Sequence, residues 1–153
     1  MTMLLNRIFI TDPADTTALV ARLALGITIF PHGAQKLLGW FDGYGFQGTM
    51  QFLTGSVGLP YIVALLVILI ESIGSLMILI GFAARVAALG MLGNFLGAVV
   101  SSHAKAGFFM NWYQHPNQPE GLEYFVLLFG LVITILLAGG GRASVDAHLF
   151  YRN

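Results

Sequence analysis

Residues 61–82 read YIVALLVILIESIGSLMILIGF, and their only acidic or basic residue is Glu71, near the middle. At about 1.5 Å of rise per residue, about 20 apolar residues cross the ~30 Å hydrocarbon core of a bilayer. Divided at Glu71, neither 61–70 nor 72–82 is long enough to span. The stretch therefore reads as one transmembrane helix with a carboxyl at roughly 17 Å depth. The same test finds apolar segments at 18–38, 84–102 and 122–138.

Composition points the same way. The chain is 57% hydrophobic and 9% charged, against about 25% charged in soluble domains. A water-soluble fold of this size could not hide so much apolar surface. The expected fold is all-α: an integral membrane bundle of four transmembrane helices embedded in the lipid bilayer. Residues 1–17 form a short N-terminal segment, 18–138 one transmembrane domain, and 139–153 a tail after Gly139-Gly140-Gly141-Arg142. The connections 39–60 and 103–121 read as long loops. The link between the second and third spans is so short that it makes them antiparallel neighbours.

The net charge is zero and no basic run is present, which argues against nucleic acid as a partner. The absence of cysteine excludes thiol–disulfide chemistry, thiolate metal sites and iron–sulfur ligation by the chain itself. The first seventeen residues lack the successive basic, apolar and small-residue regions of a cleaved signal peptide. Arg7, Arg85, Arg142 and Arg152 fall on the side of both termini, and only Lys36 and Lys105 on the other. The positive-inside rule then puts both termini in the cytoplasm and both long loops outside. In a bacterium this is a multi-pass inner-membrane protein with periplasmic loops. Trp40, Phe41, Tyr44, Tyr61, Trp112 and Tyr113 lie where the outer aromatic belt belongs.

Ionisable groups at membrane depth cost roughly 2.5–3.5 kcal/mol each on insertion scales, so they mark the candidate site. Side chains lean toward the N-terminus of their own helix. Arg22 therefore leans cytoplasmic and is expected to snorkel to the headgroups. His32 and Lys36, four apart on one face, converge on Glu71 from the outer half. His103 and Glu123 enter the same layer from the third and fourth spans. The candidate catalytic residues are Glu71, His32 and Lys36. The candidate ligand-binding set adds His103, Glu123 and Asn94, although Asn94 also suits a helix-to-helix hydrogen bond with Ser72 or Ser75. Gly26 and Gly33, Gly74 and Gly81, and Gly90, Gly93 and Gly97 form stripes that allow close packing, within one bundle or in a homodimer.

His32-Gly33-x-x-Lys36, Glu71 in the second span, and Gly139-Gly140-Gly141-Arg142-Ala143-Ser144-Val145-Asp146 together resemble the DoxX family, in motif order from about 21 to 149. The family's ending often reads Gly-Pro-Gly-Arg. Gly140 stands in place of that proline, which predicts a looser turn. The resemblance implies a four-helix inner-membrane protein. Some relatives serve as the membrane subunit of thiosulfate:quinone oxidoreductase, and others are associated with redox-stress complexes. It transfers no catalytic residue list.

Two functions fit. One is a redox-associated subunit that binds a quinone or similar apolar ligand in the outer polar pocket. There His32 and Lys36 meet a carbonyl and Glu71 or Glu123 handles protons, with electrons coming from a partner protein on the periplasmic side. The other is a non-catalytic scaffold or carrier of a lipid or small ligand, docking a periplasmic partner through 103–121. A haem held by His32 and His103 is not expected, because their depths differ by a helical turn and no paired-His pattern recurs. A zinc or copper site is not expected either.

Overall fold

A computed structural model describes residues 8–116 and 119–150. Arg7 and Arg152, which enter the charge count for orientation, lie outside the described residues. Helix α1 covers Thr16–Leu38. A short helix α2, Gly45–Gln51, follows and continues as a π turn over Phe52–Ser56. Helix α3 covers Tyr61–Ile80 and α4 covers Ala84–His103. Helix α5 covers Glu123–Ala138, and α6 covers Val145–Phe150.

Three of these, α1, α3 and α4, are long and apolar enough to cross a membrane; α5, with 16 residues, is shorter. The outward faces carry exposed Val20, Ile27, Ile62, Leu66, Leu89, Leu127 and Leu137. Only an apolar solvent tolerates such a surface. The bundle core is Leu25, Ile29, Ile78, Met91, Val132 and Ile135, all closed to solvent. Helix α1 packs on α3 and α5, and α4 packs on α3 and α5. The four long helices thus form a square in chain order.

Four departures from expectation have physical reasons. Residues 39–60 are partly helical: α2 and its π turn fold back so that Met50 packs with Ala64 and Ile68 of α3. Helix α3 is continuous through Glu71 as expected, but it widens there into a π turn over Ile70–Gly74. Arg22 does not snorkel. It is 2% exposed and its guanidinium donates to the carbonyls of Ile78 and Leu79 at the end of α3, and of Gly140, Arg142 and Ala143 in the terminal turn. The Gly140 turn is tight. Its carbonyl accepts from Arg22 at 3.0 Å, and a Cβ there would press on the Ser144 side chain.

Other helix ends are closed in the same manner, since a terminal N–H or C=O left in lipid has no water to bond. Asp15 caps α1 through the Ala18 amide. Both carboxylate oxygens of Asp146 accept from the first amides of α4, Ala83 at 2.7 Å and Ala84 at 2.9 Å. Burial pushes the Asp146 carboxyl above its ordinary range, opposed by those two amides and by Arg85 and Arg22. Arg85 donates to the carbonyls of Leu136 and Leu137 at the end of α5, and to Ile8 and Ile10.

Replacing Arg22 with Met leaves several buried carbonyls without a donor, at about 1–3 kcal/mol apiece. The expected outcome is a loss of about 3 kcal/mol or more in thermal unfolding of the detergent-solubilised protein. The exposed Arg142→Met control should change by less than about 0.5 kcal/mol. Equal effects of the two variants would remove Arg22 from this role.

Candidate functional site

The site begins where two backbones touch. Gly33 of α1 lies so close to α3 that a Cβ there would overlap the Glu71 carbonyl and the Ser72 Cα. Only glycine permits that approach. The π turn over Ile70–Gly74 sits at this contact and carries Glu71, and such widened turns recur at functional sites. Three residues after Gly33, on a neighbouring part of the same helix face, Lys36 extends its Nζ to 2.6 Å from Glu71 Oε2. From the facing helix α4, Asn94 Nδ2 donates to Glu71 Oε1 at 2.9 Å. Glu71 thereby joins three helices.

The Lys36 and Glu71 side chains are 27% and 12% exposed. A charge pair this far from water holds because the partners neutralise each other and Asn94 takes the second carboxylate oxygen. Asn94 therefore bonds the carboxylate and not the serines. Ser72 and Ser75 bond carbonyls of their own helix instead, those of Ile68 and Ser72.

Two cavities meet at this triad. The first, of about 320 Å³, lies between α1, α4 and α5 beneath the connection from α4 to α5 and is lined by His32, Phe95, His103, Met110, Glu120 and Tyr124 as well as the triad. The second, of about 540 Å³, is an apolar groove between α3 and α4, closed at one side by the 52–59 segment. Its walls include Val63, Leu66, Leu89, Gly93 and Gly97. Lys36, Glu71 and Asn94 line both.

Of the residues expected in the site, the structure joins Lys36, Glu71 and Asn94 by direct bonds. It places His32 and His103 on the wall of the first cavity. His32 is exposed. His103 donates from Nδ1 to the Glu120 carbonyl at 2.8 Å and rests on the Phe125 ring. Glu123 is not brought in. Its Oε2 accepts from the Met110 amide and Trp112 Nε1, which anchors the connection from α4 to α5. Tyr124, one residue on and so rotated by about 100°, faces the cavity instead. A wheel drawn for α5 distinguishes the two positions once the connection is known to turn over Glu123. Among the glycines, Gly26 and Gly33 serve packing within the bundle, whereas Gly93 and Gly97 face open space.

The DoxX family model matches residues 17–104. The chain is 30% identical over 132 residues to the "Putative oxidoreductase CatD" of Bacillus subtilis (strain 168), covering 86% of each chain. It is 33% identical over 140 residues to "Inner membrane protein YqjF" of Escherichia coli (strain K12), covering 88% of this chain and 93% of the relative. No solved structure matches.

Gly33→Ala should cost about 1–3 kcal/mol, because the added methyl meets backbone on α3 that cannot yield. Gly26→Ala should cost less, since its methyl meets the Leu79 side chain first. Thermal unfolding of both variants in one detergent tests the order. A cheaper Gly33→Ala would disprove the close backbone contact at Glu71.

Proposed function

The chain belongs to the DoxX family, and from that premise we propose that it is a redox-associated subunit of the bacterial inner membrane. It binds a quinone or similar apolar carbonyl compound beside Lys36 and Glu71 and works with a protein that supplies the electrons. The observation that carries this reading is the Lys36–Glu71–Asn94 triad set between apolar walls. A quinone ring needs an apolar slot, a donor for its carbonyl and a group that exchanges protons. Lys36 has three N–H donors and spends one on Glu71. Glu71 is the proton-exchanging group, and His32 and Tyr124 stand on the same cavity wall.

The oxidoreductase wording in the name of the Bacillus relative supports the redox side of the reading. The name of the Escherichia coli relative supports the inner membrane. Both termini lie in the cytoplasm, with Arg85 and Arg142 on that side. The partner docks on the opposite face, over the outer connection, where Phe109, Trp112 and Tyr113 are exposed. The chain has no thiol and no group of three His, Asp or Glu placed for a metal among the described residues. This reading assigns the electron carrier to the partner.

Purified protein should retain quinone in detergent and bind added decylubiquinone. Glu71→Gln and Lys36→Met should each raise the Kd about tenfold or more, equivalent to about 1.4 kcal/mol. Glu71→Gln keeps the shape of the side chain and controls for folding. Absence of quinone from the wild-type protein, with no binding of the added compound, would overturn the reading. Retention of a lipid in its place would favour the carrier function.

A further inference from the structure

The triad has two faces, and the two cavities that share it differ in what they open on. The groove between α3 and α4 is rimmed by Val63, Leu66 and Leu89, which are 42%, 49% and 62% exposed on the outside of the bundle. Those side chains face hydrocarbon when the helices span a bilayer. The cavity between α1, α4 and α5 is rimmed by the exposed Glu120 and the half-buried Met110 of the outer connection. That opening faces the aqueous side. Lys36, Glu71 and Asn94 form the wall between the two.

Gly93 and Gly97 widen the groove, because nothing lies within 4 Å of where their Cβ atoms would be. The groove's volume, about 540 Å³, falls within the range of about 300–1,000 Å³ typical of small-molecule sites. Its only charged end is Lys36–Glu71, joined by Asn94, Ser101 and Ser102 as polar neighbours. An occupant with one polar ring and one long hydrocarbon tail matches that distribution. The other cavity offers ionisable and hydroxyl groups, His32, His103, Glu120 and Tyr124, that suit a path for water and protons.

We propose that Glu71 is a two-sided carboxylate: a tailed quinone enters from the lipid through the α3–α4 groove, and protons reach Glu71 from the aqueous side through the separate outer cavity. This deepens the quinone reading above and rests on it. The quinone takes two electrons from the reduced redox centre of the partner protein, which is left oxidised by two electrons, and two protons from water. Each proton crosses the outer cavity, resides on a Glu71 oxygen and passes to a ring oxygen. The ligand leaves as the quinol, and Glu71 returns to a carboxylate beside the Lys36 ammonium. Electrons and protons never share a route, and the ligand never has to cross the polar cavity.

Two carbodiimides read the two faces independently of turnover. In nanodiscs, lipophilic dicyclohexylcarbodiimide should reach Glu71 through the groove, and a charged water-soluble carbodiimide through the outer cavity. Peptide mass detects capture as the N-acylurea or as the Lys36–Glu71 amide. Gly93→Leu, whose side chain fills the groove from open space, should cut labelling by the lipophilic reagent about fivefold or more and spare the other. Met110→Trp should do the reverse. These thresholds exceed the about twofold scatter expected of variants that differ by less than 0.5 kcal/mol. Decylubiquinone should protect Glu71 from the lipophilic reagent only, and Gly93→Leu should weaken its binding.

If both variants depress both reagents alike, or the water-soluble reagent never reaches Glu71, the two-sided arrangement is wrong. If decylubiquinone binds but shields Glu71 from the water-soluble reagent instead, the two cavities are wrongly assigned while the quinone reading stands. If it does not bind the wild-type protein at all, both fall.

Discussion

A helix that ends inside or beside lipid must find partners for backbone groups that water would otherwise satisfy. The end of this bundle that holds Arg22, Arg85 and Asp146 is built around that requirement. Arg22 closes the end of α3 and the glycine turn after α5. Arg85 closes the end of α5, and Asp146 the start of α4. Each of these charges belongs to a different element from the one it closes, so capping and tertiary assembly are the same event. With those ends fixed in this way, the opposite half can hold cavities and a charge pair without loosening the bundle.

The half that carries Glu71 has its own point of closest approach. Gly33 brings α1 into backbone contact with α3 at the widened turn that carries Glu71. Lys36 follows on the same helix and Asn94 faces from α4, so the carboxylate is held from two sides. The His-Gly-x-x-Lys pattern thus has a mechanical reading: glycine sets the distance and lysine supplies the countercharge. The histidine of the same pattern lies on the adjoining cavity wall.

Much of this was legible in the sequence, and what was not has identifiable causes. Segment length and hydropathy were enough for α1, α3 and α4, because lipid thickness fixes helix length, whereas α5 is shorter than that length. The lean of side chains toward their helix N-termini correctly paired Lys36 with Glu71. The same rule correctly turned Arg22 away from Glu71 but could not say what Arg22 meets. Its partners are carbonyls far along the chain, and carbonyls have no sequence signature. Asn94 was compatible with two partners, and only the rotation of α4 decides between them. The exchange of Glu123 for Tyr124 depended on the path of the outer connection, which periodicity does not describe. The π turn at Ile70–Gly74 is a single-residue widening that hydropathy cannot register.

The cap that Asp146 places on α4 sets an order of events during synthesis. Helices α1, α3 and α4 are made, and can enter the membrane, before residue 146 exists as part of the chain. Until then the Ala83 and Ala84 amides have no carboxylate, and the Arg22 guanidinium lacks the Gly140, Arg142 and Ala143 carbonyls that hold it. The bundle is therefore inserted first and locked afterwards, once α6 has been made. A chain cut before Asp146 holds α1, α3, α4 and α5 but lacks the carboxylate that closes the start of α4.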